Sequence, residues 1–239
     1  MSHLEIPDGI IPFFWLITGM ALCGLILAFC IYRIRGQDLT RVIPRLGLMS
    51  AFTLAAMSVP LGFLPYHLNL TVLVGIVLGP WLGFISVFIV NLLLSLMGHG
   101  GITVVGLNTV QVGAQVFLGY YLFKGLTRII RQTSAAAVTT FTTILLSTIL
   151  MVGIIGISQV DPVMFLEHEE QAAESVHQNE TGIPADSIDA DEGISLKRFA
   201  SIVFPVTIPG ALLEAAAVAF IIRFLARTRP DMIYSEIKK

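Results

Sequence analysis

The chain has 239 residues, 55% of them hydrophobic and only 13% charged, with a mean hydropathy of +0.85. Soluble domains carry about 25% charged residues, so the composition excludes an ordinary soluble fold and points to a polytopic membrane protein. The net charge of −2 says nothing about nucleic acid, but there is no basic domain that would bind it.

The chain begins Met1-Ser2-His3-Leu4-Glu5-Ile6-Pro7-Asp8-Gly9, and an apolar stretch follows at once. An α-amine, the neighbouring amide nitrogens and an imidazole in this order can wrap a small divalent metal as one chelate. Seven apolar spans are expected, near residues 11–32, 46–64, 68–79, 81–97, 109–123, 135–157 and 199–226. A full crossing takes about 20 residues for about 30 Å of hydrocarbon. The first span lacks a basic lead-in and a small-x-small cleavage site, so it reads as a span rather than a signal peptide.

Charge placement orients the spans. Arg33, Arg35, Arg41 and Arg45 follow the first. Lys124, Arg128 and Arg131 follow the fifth, and Arg223, Arg227, Arg229, Lys238 and Lys239 close the chain. With seven crossings, 12 of the 14 Lys and Arg residues share one side, as the positive-inside rule requires. The expected fold is therefore an all-α transmembrane bundle of about seven helices, with an outside amino terminus and a cytoplasmic carboxyl terminus. Residues 1–239 are expected to form one transmembrane domain of a plasma-membrane protein.

One overlong helix over 68–97 would put the 124–131 cluster outside. A break at Gly79-Pro80 avoids this, since proline disrupts a helix interior. A helix over 68–79 rises only about 18 Å, which leaves His67 in a recess below the outer edge. Pro60, Gly62 and Pro65 precede it, and irregular backbone at membrane depth is tolerated where protein buries it or it lines a cavity. His67 reads either as an interfacial residue bonded to a helix end or as a metal ligand. His3 reads either as a mobile terminal residue or as part of the chelate.

Other polar residues carry their own expectations. Glu214 lies about 22 Å along the last helix from its outer start. That is too deep for the outer site, so it reads as a packing or coupling residue below Pro205 and Pro209, which should kink the helix. Asn91, Asn108 and Gln111 are expected to hydrogen-bond between helices. Asn108 and His99 are also candidates to support the ligands from behind or to gate the site. Cys23 and Cys30 share one face of one helix, which excludes a mutual disulfide. Small residues at Gly24/Ala28 and Ala51/Ala55 permit close helix approach or a membrane partner. The loop at 158–198 holds ten acids, His168 and His177. It cannot bury a core and is expected to be a flexible extracytoplasmic linker, or else an antenna for cations.

The chain resembles the CbiM/NikM family, the cobalt- and nickel-specific substrate-binding membrane (S) components of energy-coupling factor ABC transporters. Five motifs in order carry the resemblance: Ile6-Pro-Asp-Gly9; His67 leading to Leu78-Gly-Pro-Trp81; Gly98-His-Gly-Gly101 leading to Gly106-Leu-Asn108; Gly210-Ala-Leu-Leu-Glu214; and Arg227-Thr-Arg-Pro-Asp231. In that family the terminal amine, the next amide and the second residue's imidazole supply three nitrogens, and a loop histidine, matched by His67, the fourth. The terminal histidine is out of register: Glu5 occupies its usual position and His3 lies two residues upstream. Glu5 is thus a possible substitute ligand, with an oxygen donor harder than imidazole.

Two nitrogen arrangements follow. With Met1 retained, its amine, two amides and the His3 imidazole form a planar chelate suited to Ni²⁺ or Cu²⁺. With Met1 removed, the Ser2 amine, the His3 amide and imidazole, and His67 reproduce the family's set. The second is preferred.

No Gly-x-x-x-x-Gly-Lys-[Ser/Thr] phosphate loop occurs in the chain, and no catalytic residue or resident cofactor is expected. The resemblance implies Co²⁺ or Ni²⁺ as the transported ligand. It also implies a membrane coupling (T) subunit, cytoplasmic ATPase subunits and a small auxiliary membrane subunit as partners, within the lipid bilayer. Two alternatives stand beside this reading: an S component for another substrate, motivated by Glu5, and an intramembrane enzyme using His67 and Glu214. The different depths of those two residues and the lack of a His-x-x-x-His zinc pair count against the enzyme.

Overall fold

The computed structural model describes residues 12–58, 67–98, 101–158 and 196–234. Most of the described residues are helical, and none is in a strand. They form α1 (Phe13–Ile34), α2 (Leu39–Ser58), α3 (Thr71–Leu96), α4 (Val105–Leu126), α5 (Gln132–Ser158), α6 (Leu196–Thr228) and the short α7 (Pro230–Tyr234). Four stretches are long and apolar enough to cross a membrane: α1, α3, Gln132–Leu150 of α5 and Thr207–Thr228 of α6. The chain is a multi-pass helical membrane protein.

The expected helix positions hold best where termini carry a local signal. Pro12, with φ −55° and ψ 142°, leads into α1, and its carbonyl accepts from Trp15 N–H at 2.9 Å. The second helix differs from expectation, starting at Leu39 rather than near 46. Asp38 is the reason: its carboxylate accepts from the backbone N–H of Thr40 at 3.1 Å and from its hydroxyl at 2.7 Å. That side chain satisfies a first-turn donor, and the helix then runs through Pro44.

The third and fourth expected spans are the two arms of α3. The backbone is non-helical at Gly79, with φ 80° and ψ 174°, and Pro80 follows. Only glycine adopts this conformation without strain. A Cβ placed on Gly83 would lie 3.6 Å from the Cα of Gly75, whereas residues eight apart in a straight helix are separated by about 12 Å. The arms therefore fold back on one another. Both meet α4 at Val116: a Cβ on Gly75 would sit 2.7 Å from its carbonyl oxygen, and one on Gly83 2.6 Å from its Cγ1.

This doubled helix is the centre of the molecule. In its most apolar window 78% of residues are buried, against 17% for α1, so α1 is peripheral and α3 is enclosed by protein. Leu73, Val74, Ile76 and Val77 form a core with Phe123 of α4, Ala135 and Ala136 of α5, and Val218 and Ile222 of α6. α3 packs most extensively on α4, and α5 on α6. Trp81, just past the break, stacks edge-on with Phe29 and Phe117, and Arg33 lies 5.2 Å from its ring centre. This aromatic cluster sets the break beside the basic end of α1.

Several polar residues of α2, α3 and α4 turn inward, among them Ser50, Ser86, Asn91 and Thr109. Ser50 of α2 bonds Ser86 of α3 at 2.8 Å. Asn91 of α3 donates to Thr109 of α4 at 3.4 Å, an interhelical bond of the expected kind. Cys23 and Cys30 are buried free thiols. The close approach of α1 to α4 lies at Gly106, where a Cβ would meet Met20 backbone at 2.6 Å. It does not lie at Gly24/Ala28: those residues, like Ala51 and Ala55, are exposed, and a Cβ on Gly24 meets nothing within 4 Å.

Candidate metal centre

His67 opens a four-residue non-helical segment, 67–70, that leads into α3. The segment dives into the protein. His67 and Leu68 are half-buried, whereas Asn69, Leu70 and Thr71 are at most 2% exposed, and the His67 Nδ1 atom is itself buried. Leu70 sits in the left-handed region at φ 50°, ψ 12°, a conformation that costs a leucine about 1–2 kcal/mol. The surrounding structure must hold it there.

Side chains of three elements do so. Asn69 Nδ2 donates to Gln115 Oε1 of α4 at 2.9 Å, and Gln115 Nε2 donates to Ser147 Oγ of α5 at 2.7 Å. The Thr71 hydroxyl donates to Asn69 Oδ1. Gln115 lies midway along the 22-residue α4, so the His67 segment reaches the middle of the bundle. Asn69, Gln115 and Ser147 do not appear among the candidates read from the sequence. A signal exists: Asn108, Gln111 and Gln115 recur at helical spacing on α4, and Thr139, Thr143 and Ser147 on α5, and all six are buried.

Glu214 corrects a sequence expectation. Its side chain is fully buried in α6 and faces the backbone amides of Asn69 and Leu70. Neither carboxyl oxygen closes a well-formed hydrogen bond with them, so the contact is that of a buried carboxyl group beside two backbone amides. The carboxyl group is therefore not remote from the His67 segment. The depth estimate for Glu214 was a rise along α6; what it missed is how far residues 67–70 descend.

Asn108 is buried near the start of α4, and its backbone N–H reaches Val104 O at 3.0 Å. Met1, Ser2, His3, Glu5 and His99 lie outside the described residues, as does most of the 158–198 loop. Among the described residues no three His, Cys, Asp or Glu side chains come together. His67 and Glu214 thus approach the same short segment without forming a complete ligand set by themselves.

The fold and this buried turn define a multi-pass membrane protein with one fixed histidine beside its central helix pair. The family model for the CbiM cobalt uptake substrate-specific transmembrane region matches residues 5–232, and the chain belongs to that family. Over 139 residues it is 33% identical to a protein of Archaeoglobus fulgidus assigned as a fused nickel transport protein, NikMN, covering 55% of this chain and 45% of that one. It is 27% identical to the cobalt transport protein CbiM of Geobacter sulfurreducens, over 96% of this chain and 61% of that protein. The chain thus spans about half to three-fifths of the length of these curated relatives.

Two crystal structures share the fold. A transition metal transporter superposes with a TM-score of 0.72 at 17% identity, over 98% of this chain and 99% of the other. A truncated transition metal transporter gives 0.71 at 18%, over 93% and 98%. At these identities the likeness establishes the fold alone.

Proposed function

We propose that the chain is the substrate-capturing membrane subunit of an ATP-driven importer for Co²⁺ or Ni²⁺. The ion is the cargo. It is taken on the outer side by the amino-terminal segment and His67, in a seven-crossing topology that counts both arms of α3. Energy comes from partner ATPase subunits through a membrane coupling subunit, with a small auxiliary membrane subunit completing the assembly. Family membership across residues 5–232 supports this reading. The observation that carries it is the seat of His67, on a buried segment fixed by polar side chains rather than on a surface loop. Metal ligands are commonly held in this way by groups behind them.

Of the two amino-terminal arrangements, Ser2 amine, His3 amide and imidazole with His67 makes the fuller use of this seat. It requires removal of Met1, and intact-mass measurement decides: retained Met1 leaves the self-contained Met1–His3 chelate instead. His3 out of register and Glu5 in the usual histidine position favour a second reading, an S component for a different substrate.

The test is metal uptake by the reconstituted complex with Co²⁺, Ni²⁺ and Cu²⁺, comparing the parent with His3→Ala and His67→Ala. Uptake of Co²⁺ or Ni²⁺ that falls at least about tenfold in either variant, as loss of a metal-site group typically does, supports the assignment. Undiminished uptake in both variants overturns the site. No uptake of any of the three ions by the parent complex favours the second reading.

A further inference from the structure

We propose that Asn69 is a positioning residue for His67, held in place by Gln115, Ser147 and Glu214, so that metal capture is fixed by a polar latch spanning α4, α5 and α6. The proposal deepens the metal-binding reading and rests on it.

The argument begins with the backbone. Residues 67–70 are not helical, so no helical ladder fixes the direction of His67. Something else must, because a metal ligand has to be held to within a fraction of an ångström. The segment is anchored two residues after His67, by a side chain 1% exposed that bonds in two directions: toward Gln115 at 2.9 Å and toward Thr71. The anchor is secured in turn by Ser147, through Gln115 at 2.7 Å.

Leu70 supplies an independent observation. A non-glycine residue in the left-handed region persists where its surroundings over-determine it, and such strain gathers at ligand clamps. Here the strained residue follows Asn69 directly and is 2% exposed. Glu214 supplies a third. An intramembrane carboxylate is costly and by default functional, and this one faces the amides of Asn69 and Leu70. Packing alone would call for an apolar side chain at that position. A carboxyl group beside two backbone amides instead fixes the orientation of those peptide groups, and with them the angle at which the chain leaves His67.

The latch also links the site to the bundle. A ligand that pulls His67 into place must pull on Asn69, and through it on α4 and α5. By linkage, a second ligand whose affinity the metal changes through those helices changes metal affinity by the same factor.

The experiment is Ni²⁺ titration of the full chain in nanodiscs, read by calorimetry and by the visible absorption band of the bound ion. Thermal melting is measured in parallel. Gln115→Leu is expected to weaken Ni²⁺ binding about tenfold and to shift the band. Ser147→Ala, which removes only the far end of the latch, should weaken binding less, and Ser147→Thr, which keeps the hydroxyl, should restore it. Ile233→Ala is the stability control: Ile233 is 1% exposed in the core at the short α7, and its truncation should lower the melting temperature and leave affinity and band unchanged.

His67→Ala separates the two levels of the argument. If it weakens binding while Gln115→Leu and Ser147→Ala leave affinity and band unchanged, the latch is overturned and the metal site stands. Unchanged binding in His67→Ala removes His67 from the site and overturns the latch, and unchanged binding in His3→Ala as well overturns the metal reading. Should Gln115→Leu fail to fold, the Ser147→Ala and Ser147→Thr pair decides alone: rescue by threonine supports the latch, and equal affinity in both overturns it.

Discussion

Leu70 concentrates the cost of building this site. Its φ of 50° is unfavourable, and its side chain is enclosed by the central core. In lipid there is little hydrophobic gain in moving a leucine from bilayer to protein, so its contribution is packing. At an ordinary position glycine is worse than alanine by about 0.5–1 kcal/mol of backbone entropy. At Leu70 the relief of left-handed strain, about 1–2 kcal/mol, opposes that loss. Leu70→Gly is therefore expected to be no less stable than Leu70→Ala, measured as melting temperature in detergent. A Leu70→Gly protein clearly less stable than Leu70→Ala would show that residue 70 carries no such strain. His67 was legible in the sequence because a histidine beside Pro65 at a helix start is conspicuous. Asn69, Gln115 and Ser147 were not, because their meaning lies in one hydrogen-bonded chain across three helices. Glu214 was recognised as unusual, but its neighbours were hidden by the non-helical descent of residues 67–70.

Elements show the same division between local and tertiary information. The break at Gly79-Pro80 was readable because proline and glycine act on their own backbone, and the structure breaks α3 there. The second span was placed by its apolar run near 46, whereas the Asp38 cap starts α2 at Leu39. The close helix contacts were sought at Gly24 and Ala28, yet they lie at Gly75, Gly83 and Gly106, where facing backbones leave no space. Spacing alone does not tell a small residue facing lipid from one facing a helix. Gly75→Ala is expected to destabilise the fold by about 1–3 kcal/mol, the cost of overpacking, because its Cβ would sit 2.7 Å from a backbone oxygen that cannot rotate away. Gly24→Ala, with nothing within 4 Å, should be neutral or stabilising by up to about 1 kcal/mol from helix propensity. Thermal melting of the two variants side by side checks the contrast. Equal losses in both would mean that α3 and α4 are not in backbone contact.

The whole molecule turns on whether α3 crosses once or folds back, because every later segment changes side with it. The backbone at Gly79 and the approach of Gly83 to Gly75 favour the fold-back. Seven crossings would put 12 of the 14 basic residues on one side, the kind of asymmetry the positive-inside rule selects. A single crossing would instead put Lys124, Arg128 and Arg131 outside. Cysteine labelling in cells distinguishes the two without removing the native thiols, since Cys23 and Cys30 are buried and inaccessible to a bulky maleimide. Ile129, in the turn after α4, is 84% exposed, and Ser175 lies in the acidic 158–198 stretch. Ile129→Cys is expected to react with a membrane-impermeant maleimide only after permeabilisation, and Ser175→Cys in intact cells. The reverse pattern would place the basic cluster outside. It would leave residues 1–11 and His67 on one face, since α1 and α2 both lie between them and α3 follows them, but it would reverse the side of every segment after α3. The labelling pattern therefore decides how α3 runs and where the basic cluster lies, while the pairing of the amino terminus with His67 depends on α1 and α2 alone.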